Sequence, residues 1–395
     1  MRFAMLDNAG MIAAALALQL ATPSIVPGSD PELWPVRVAT SVGYIDAAGT
    51  MVLRPRWSDG APFIAGRGAV KDRRGWFFID RAGEPVIPGP FDDVRSFSEG
   101  FAAVKSKGAW FFIDAQGRPQ GNPEFMELHD VKDGIAVAKR NSAPKNPEPE
   151  YIWVTPNGQL ALPVKAPGCA GFVAPVRYRE HLRGRNAPAL LVRCGRQEES
   201  FTRRAGDRPD AWGYLSRDGK RFIVAPTLGL SMPFSDGVAA AVDRGGWRFI
   251  DGTGATAIPP GFGDVVLSFN RGLALVSRGQ GKAKALFAIG PDGKDRLALP
   301  PVADPGDALP LWQGVLRFGE GFLLTVAEPF PDLAAILIGS GGQERARFPG
   351  YAALQAQGKL AELMPFDREI VGGKLPSVVR LYVDTDGKIV YRLTR

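Results

Sequence analysis

The 395-residue chain has very few residues of the kinds that bind metals or transfer protons, with only two cysteines and two histidines. Cys169, Cys194, His129 and His181 match none of the ligand spacings that bind zinc, so no zinc site is expected. Neither histidine lies near a Gly-x-Ser-x-Gly phrase, and the sequence contains no such phrase. A serine–histidine–aspartate hydrolase centre is therefore not expected. Both histidines are interpreted as ordinary surface or turn residues.

Two further motifs are missing, and so is one structural pattern. The sequence has neither a glycine-rich phosphate loop ending in Lys-Ser/Thr nor a dinucleotide-binding fingerprint. No cofactor and no metal is predicted. No long amphipathic helix pattern is visible after residue 30, whereas 48 glycines and 34 prolines are spread along the chain. Scattered turn residues are typical of many short strands, so the sequence predicts an all-β fold.

Long apolar runs are also scarce. Residues 11–21 form a run that suits the core of a signal peptide but is too short to span a bilayer. We predict a signal peptide and short lead at residues 1–28, a single β domain at residues 29–395, and export to the periplasm or surface of a bacterial cell. A short buried helix or a retained anchor are the alternatives, and no transmembrane segment is expected in the mature chain. Two cysteines in an exported protein usually pair, which predicts a Cys169–Cys194 disulfide.

The chain does contain a repeated phrase of aromatic and β-branched residues that ends at an Asp position, with Gly three residues later. It is clearest as WFFID, which ends at Asp80 and again at Asp114. Neighbouring copies are 34 to 49 residues apart, except for one interval of 61 residues. Such a period indicates a repeat architecture. The nine copies have their Asp position at Asp46, Asp80, Asp114, Thr155, Ser216, Asp251, Gly290, Gly339 and Asp384.

Two landmarks follow each clear copy in constant order. The first is a Val/Ile-Pro step such as Ile87-Pro88, and the second is a Phe-Ser-x-Gly turn such as the one at Phe97, followed by a strand of small residues. We interpret each unit as a three-stranded antiparallel meander with the aromatic phrase as its first strand. Proline lacks an N–H, so it ends the second strand or places it at a sheet edge. The repeated Asp is predicted to accept hydrogen bonds from the turn, and the Trp and Phe residues to form the core.

This pattern resembles the WG-repeat family, whose unit runs roughly Trp-Gly-Tyr-Ile-Asp, Gly, Ile-Pro, Phe-Ser-Glu-Gly, Ala-Ala-Val. The stretch AWGYLSRDG at Trp212 is the nearest to this form, whereas the copies at Trp76 and Trp110 have aromatic residues in place of Gly-Tyr. The resemblance covers residues 40–280 well and residues 280–395 poorly. It implies a β-repeat fold and a binding role in bacteria, without a known chemistry.

The repeated meanders could close into a propeller-like ring or stack as an open β-solenoid. The last copy supplies two strands and then stops, and residues 33–40 look like a third strand without its first two. An N-terminal strand that completes the last unit would close the ring and remove two exposed edges, so we favour the ring. Nine units exceed the usual four to eight blades. Either the ring is unusually large, or the weak copies at Gly290 and Gly339 share one irregular blade.

One segment breaks the repeat and carries most of the charge. An insert at residues 165–210 occupies the long interval, and residues 171–208 hold nine arginines and four acids, a balance of +5 against +7 for the chain. Insertions on one face of a repeat protein often form its binding face. The predicted anion-binding patch consists of Arg177, Tyr178, Arg179, Arg183 and Arg185. The alternative is a solvated arginine-rich loop.

These features leave three functional interpretations. The favoured one is a non-catalytic binding or scaffold protein of the cell envelope that presents rigid loops to a protein partner or an anionic ligand. The second is a propeller-type hydrolase or lyase acting on polysaccharide, which would need carboxylates outside the repeat positions, such as Asp264, Glu320 or Asp367. Nucleic-acid binding is the third, and it is disfavoured by the diffuse charge outside the insert and by the export signal.

Overall fold

The computed structural model describes residues 32–141, 149–162, 169, 172–175, 186–195, 211–229, 231–279, 285–299, 315–327, 333–365 and 378–394. Within these residues all regular secondary structure is β-strand, and the 33 strands form nine separate sheets. No helix in the described residues is long and apolar enough to span a membrane. Every sheet is an antiparallel meander of three or four strands that follow one another in the chain, as the sequence predicts.

The nine sheets are numbered in chain order. Sheets 1 to 3 consist of β1 (Trp34–Val38), β2 (Ser41–Ile45) and β3 (Met51–Trp57); β4 (Asp59–Gly60), β5 (Gly68–Lys71), β6 (Trp76–Ile79) and β7 (Pro85–Phe91); and β8 (Asp93–Val94), β9 (Phe101–Ser106), β10 (Ala109–Asp114) and β11 (Pro119–Phe125). Sheets 4 to 6 consist of β12 (Glu127–Leu128), β13 (Ala136–Asn141) and β14 (Pro149–Val154); β15 (Phe172–Pro175), β16 (Ala189–Gly195), β17 (Ala211–Ser216) and β18 (Phe222–Leu228); and β19 (Val238–Asp243), β20 (Gly246–Asp251) and β21 (Thr256–Phe262).

The last three sheets all have four strands. Sheets 7 to 9 consist of β22 (Asp264–Asn270), β23 (Leu273–Arg278), β24 (Ala285–Ile289) and β25 (Asp295–Ala298); β26 (Val315–Phe318), β27 (Gly321–Ala327), β28 (Leu333–Ile338) and β29 (Glu344–Pro349); and β30 (Tyr351–Gln357), β31 (Leu360–Pro365), β32 (Val378–Asp384) and β33 (Ile389–Thr394). The weak copies at Gly290 and Gly339 therefore belong to different sheets, and the alternative in which they share one blade is wrong.

The position of the aromatic phrase within a sheet differs from the prediction. The phrase is the second-last strand in eight of the nine described sheets and the last strand in sheet 4. The small-residue strand β9 pairs with the next phrase, β10, because the two are joined by the turn Lys107-Gly108, in which both residues have positive φ. Turns of this type hold the strands of a tight hairpin together. Most sequence units thus give two strands to one sheet and two to the next, as the Asp80 unit does with β6 and β7 in sheet 2 and β8 and β9 in sheet 3.

Hydrogen bonds at the end of each full phrase confirm the predicted turn. Asp80 Oδ1 accepts the N–H groups of Ala82 and Glu84, both at 2.9 Å, and the Asp position of the other full copies does the same in its own turn. The Gly that follows, such as Gly83 with φ of 85°, has positive φ in all nine copies. The repeated Asp is therefore structural, as predicted.

Proline occurs in the last strand of most of these sheets. Pro88 lies in β7 and Pro226 in β18, and each of these strands is the edge of its sheet. The prediction of an edge strand is confirmed, because an edge strand has N–H groups that need no partner in the sheet. Proline at an exposed edge also prevents pairing with other chains.

The sheets pack face to face in chain order, and the last packs on the first. The described residues form nine buried apolar clusters, eight of them between consecutive sheets and the ninth between sheets 9 and 1. In the ninth, Trp34 and Val36 contact Leu360 and Tyr382, and Trp34 Nε1 donates to the Gln357 carbonyl oxygen at 2.8 Å. The series is closed, so the propeller-like ring is confirmed and the open solenoid is wrong. The expectation that the N-terminal strand completes the last unit is wrong, because β1 pairs with β2 in sheet 1 and sheet 9 has four strands of its own. The ring closes instead by packing the faces of sheets 9 and 1 against each other.

Candidate functional site

One edge of every sheet faces the inside of the ring. The last strands β7 and β21 are mostly exposed, with Ile87 and Ile258 as their buried residues. At the opposite edge, β4, β8 and β12 are only two residues long. Sheets that close into a ring have less space near the axis, so from the short first strands of sheets 2 to 4 we infer that the first strands form the inner edge and the last strands the outer edge.

Two inner-edge segments in neighbouring sheets repeat at a spacing of 34 residues. Arg95 and Ser96 follow β8 in sheet 3, and His129 and Asp130 take the same places after β12 in sheet 4. Two other clear copies have proline at the Ser96 place, namely Pro62 in sheet 2 and Pro233 in sheet 6, whereas the copy in sheet 7 has Ser268 there. Sheets 3 and 4 thus differ from sheets 2 and 6 in having polar residues at this place. We refer to Arg95, Ser96, His129, Asp130 and Lys132 as the inner polar cluster.

Side-chain bonds between the two segments fix their relative position. Ser98 Oγ donates to the Val131 carbonyl oxygen at 2.6 Å. The Glu99 carboxylate accepts the N–H groups of Asp133 and Gly134, both at 2.9 Å. Glu99 and Asp133 have positive φ, as required in this turn. Charge-assisted hydrogen bonds of this kind are among the strong ones, so the cluster is attached to a rigid frame.

Asp130 is the cluster member with a buried carboxylate oxygen that has no partner. Its Oδ1 is closed to solvent and has no hydrogen-bond partner, although the residue as a whole is half-buried. Burial raises the pKa of Asp130 from 3.8 to about 6, and Arg95, His129 and Lys132 offset part of that effect. A carboxylate held in this way is unfavourable for folding and is a recognised mark of functional sites.

The other cluster members differ in how well their polar groups are satisfied. His129 Nε2 lies 2.9 Å from Glu127 Oε1, and the Tyr151 hydroxyl donates to Glu127 Oε2 at 3.2 Å. The Arg95 guanidinium lies 5.7 Å from the Trp110 ring centroid, and its Nε has no hydrogen-bond partner. Lys132 is only 3 % exposed. Ser96 Oγ is closed to solvent and, like Arg95 Nε, has no partner.

A second buried acid shows what a satisfied carboxylate looks like in this protein. Glu362 accepts hydrogen bonds from Gln355 Nε2 at 2.6 Å and from Arg380 Nε at 2.9 Å, on the face of sheet 9 that packs against sheet 1. Burial raises its pKa, and Arg380 acts in the opposite direction. At the surface, hydrogen bonds from the Thr253 hydroxyl and N–H lower the pKa of Asp251. Asp130 has neither kind of support.

The predicted arginine patch cannot be placed. Its residues, Arg177, Tyr178, Arg179, Arg183 and Arg185, lie outside the described residues, as does most of the insert at residues 165–210 and the predicted signal peptide at residues 1–28. The predicted disulfide is present, with Cys169 and Cys194 joined and their Cα atoms 5.6 Å apart. It ties residue 169 to β16 of sheet 5.

Sequence reasoning missed the inner polar cluster and interpreted His129 as an ordinary residue. The available signal was that Ser96 and Asp130 occupy a repeat place at which Pro62 and Pro233 stand in two other copies. Of the off-repeat acids, Asp264 begins β22 of sheet 7 and Glu320 lies between β26 and β27 of sheet 8. Asp367 lies outside the described residues. Within the described chain no group of three or more His, Cys, Asp or Glu side chains could hold a metal ion.

The family relationship follows from the repeat itself. The family model "WG containing repeat" matches residues 76–110 and 247–281. The chain contains WG repeats. Each matched WG repeat starts at the tryptophan of one aromatic phrase, Trp76 or Trp247, so it begins in one sheet and ends in the next. No curated protein matches the sequence.

Solved structures show distant similarity to this WG-repeat chain. A protein of unknown function from Bacteroides caccae is 16% identical over 58% of this chain and 93% of its own, with a TM-score of 0.23. A prolyl endopeptidase is 10% identical over 90% of this chain and 58% of its own, with a TM-score of 0.39. An uncharacterized protein from Listeria monocytogenes EGD-e is 12% identical over 81% and 94%, with a TM-score of 0.32. All three TM-scores are low, so the description of the fold rests on the sheets and their packing alone.

Proposed function

We propose that this WG-repeat protein is a non-catalytic binding or scaffold protein of the bacterial cell envelope. In this proposal residues 1–28 are removed as a signal peptide and lead, and residues 29–395 act as one domain. The ring presents its loops to a protein or to an anionic envelope component, and nucleic acid is not its ligand. The disulfide supports export, because paired cysteines persist in oxidising compartments.

The observation that carries the proposal is the contrast between the two kinds of acid in the ring. The repeated aspartates, such as Asp80 and Asp114, are engaged by the N–H groups of their own turns. Such side chains hold the scaffold rigid and are not free for acid–base chemistry. The inner polar cluster instead keeps hydrogen-bonding atoms without partners. A rigid frame with a few unsatisfied polar groups is suited to binding, because little order is lost when a partner arrives.

The arginine-rich insert supplies the proposed contact with an anionic partner. Five of its residues, Arg177, Tyr178, Arg179, Arg183 and Arg185, would form the patch. The support is compositional, since guanidinium groups pair with carboxylate and phosphate through two hydrogen bonds at once. A loop of this charge also accelerates the encounter with an acidic partner.

A pull-down from the native host's envelope fraction tests the proposal. The bait is the chain without residues 1–28, and the matched variants are a deletion of residues 176–187 and the exposed outer-edge substitution Arg54→Gln in β3. We expect a specific partner that the wild type and Arg54→Gln recover and the deletion loses. Retention by the deletion would remove the arginine patch from the proposal, and recovery of no specific partner would contradict the binding function.

A polysaccharide hydrolase or lyase is the second candidate, and Asp130 is the observation that favours it. A carboxyl group with a pKa of about 6 is suited to general acid catalysis near neutral pH. Release of reducing ends from envelope polysaccharide, abolished by Asp130→Asn but not by Ser96→Ala, would support this candidate. No release by the wild type would exclude it.

A further inference from the structure

We propose that the turn Glu99-Gly100 of sheet 3 binds an acidic side chain of a protein partner through its two backbone N–H groups. The inference rests on the proposed binding function and names the chemistry that the partner presents. The turn is exposed and lies outside the arginine-rich insert. The support comes from equivalent turns of the ring, which hold a carboxylate of the chain itself.

Five sheets have a two-residue turn in which both residues have positive φ, just before the strand that leads into the aromatic phrase. The φ values are 51° and 85° in the Glu99-Gly100 turn and 53° and 76° in the Asp133-Gly134 turn, so the two have the same shape. Successive N–H groups in such turns form a concave site for an anion. The five turns, in sheets 2, 3, 4, 6 and 7, are Ala65-Gly66, Glu99-Gly100, Asp133-Gly134, Asp236-Gly237 and Arg271-Gly272.

Three of the five turns hold a carboxylate from the preceding repeat. The Glu99 carboxylate accepts the N–H groups of Asp133 and Gly134, both at 2.9 Å. The other two bonds run from the Gly272 N–H to Asp236 Oδ2 at 2.8 Å and from the Gly66 N–H to Glu32 Oε1 at 2.7 Å. In each case the acid lies 34 to 36 residues before the N–H group. The backbone of these turns therefore binds carboxylate in this protein.

The turn of sheet 3 has no such acid. Ala65 stands one repeat before Glu99, at the place from which the Glu99 carboxylate reaches the turn of sheet 4. Among the described residues no group accepts the N–H of Glu99 or of Gly100. Both residues are exposed, and a Cβ built on Gly100 would meet no atom within 4 Å. A carboxylate can therefore reach these N–H groups from solvent.

Arg67 distinguishes this turn from Asp236-Gly237, the other turn without an acid. Its guanidinium extends from sheet 2 to sheet 3, where it lies 5.9 Å from the ring centroid of Phe97, two residues before Glu99. In the described part of the chain no carboxylate lies within 4.0 Å of it. In sheet 5, which precedes sheet 6, Ala189 takes the place of Arg67. The turn of sheet 6 thus lacks the corresponding positive charge.

Charge around the turn also favours an anion. Glu99, the acid of the turn itself, already accepts two N–H groups of sheet 4. In the buried part of sheets 3 and 4, Arg95 and Lys132 both act on the single carboxylate of Asp130, so positive charge exceeds negative charge there as well. An arriving carboxylate meets Arg67 and no unengaged acid of this turn. Hydrogen bonds from N–H groups to a charged acceptor are among the strong ones.

The equivalent turns also indicate the source of the carboxylate. Their acceptors are side chains of Glu32, Glu99 and Asp236, each carried on a neighbouring loop of protein. An acidic side chain on an exposed loop of a partner presents the same group in the same way. The site therefore fits a partner protein with an exposed Asp or Glu.

Selective 15N-glycine labelling of the disulfide-intact chain lacking residues 1–28 tests the inference by NMR. The probe is N-acetylglutamic acid α-amide, titrated at constant ionic strength. We expect the Gly100 N–H signal to shift with a Kd below about 100 mM, and the signals of Gly66 and Gly134, whose N–H groups are already engaged, to stay in place. The signals are assigned by their loss in Gly66→Ala, Gly100→Ala and Gly134→Ala, where a Cβ has room.

Ala65→Glu supplies sheet 2 with the acid that it lacks. The backbone suits this change, because φ is 52° at Ala65 and 51° at Glu99. We expect the new carboxylate to move the Gly100 signal without probe and to weaken probe binding at least about tenfold, since it competes from within the chain. Ala39→Glu is the matched control, because it adds the same side chain at a φ of 51° in the turn between β1 and β2, and it should change neither result. Arg67→Gln should weaken binding about threefold.

Four results would overturn the inference. They are no shift of Gly100 at about 100 mM probe, an equal shift of Gly134, probe binding that Ala65→Glu leaves unchanged, and tighter binding of inorganic phosphate or glucuronate than of the glutamate probe. Thermal melts of every variant verify that the ring is folded. A failed pull-down with binding at Gly100 would contradict the proposed function and not this site, whereas a successful pull-down without any shift of Gly100 would do the reverse.

Discussion

The unsupported carboxylate of Asp130 makes a quantitative prediction about stability and pH. Its pKa of about 6 in the folded protein lies above the ordinary value of 3.8. The folded state therefore binds this proton more tightly than the unfolded state does. The stabilisation from the neutral acid is complete below about pH 4 and is lost as the pH rises through about 6.

The size of the effect follows from the gap between the two pKa values. At about 1.4 kcal/mol per pH unit, a gap of about two units corresponds to about 3 kcal/mol in the free energy of unfolding. Asp130→Asn keeps the shape of the side chain but has no proton to release. At pH 4 the unfolded carboxyl is already partly ionised, so relative to wild type this variant should gain about 2 kcal/mol of that total between pH 4 and pH 7.5. Any fixed difference caused by the amide is independent of pH and cancels.

Urea unfolding followed by fluorescence, at half-unit steps from pH 4 to pH 7.5, measures the difference between the two proteins. Other acids titrate in this range, but they contribute equally to both. Ser96→Ala is the matched control, because it changes the corresponding place in sheet 3 without removing an ionisable group. A difference between Asp130→Asn and wild type that stays flat within about 0.5 kcal/mol would refute the burial argument.

Three further changes test the packing of the ring. Gly213→Ala should cost about 1–3 kcal/mol, since its Cβ would lie 2.8 Å from the Val224 carbonyl oxygen, whereas Gly261→Ala meets no atom within 4 Å; equal urea midpoints would contradict this. Reducing the Cys169–Cys194 disulfide, whose cysteines are 25 residues apart, should lower stability by about 3 kcal/mol, and an unchanged melting temperature in reductant would contradict that estimate. Glu362→Ala leaves the half-buried Arg380 guanidinium without its carboxylate at the closing interface and should cost about 2 kcal/mol by urea unfolding; a loss below about 0.5 kcal/mol would show that the ion pair is not needed there.

Much of the scaffold was predictable because its signals are local. The Gly three residues after each Asp position marks a turn that needs positive φ, and the aromatic phrases read as strands from their composition. Asp80 could be interpreted as a turn acceptor from its place beside Gly83 alone. The pairing order could not be read in the same way. The deciding turn, Lys107-Gly108, joins the end of one unit to the start of the next, so a unit that begins at the aromatic phrase separates two strands that pair with each other.

What the sequence alone determined is the repeat: nine phrases, their turns, the all-β class and the pair of cysteines. Each of these depends on contacts within about forty residues of chain. Only the tertiary structure decided that the series closes, since Trp34 and Tyr382 meet across almost the whole chain. It also decided that Asp130 is desolvated, because burial depends on what the neighbouring sheets place around a residue. An aspartate in a turn-rich stretch looks the same in the sequence whether solvent or Arg95 faces it.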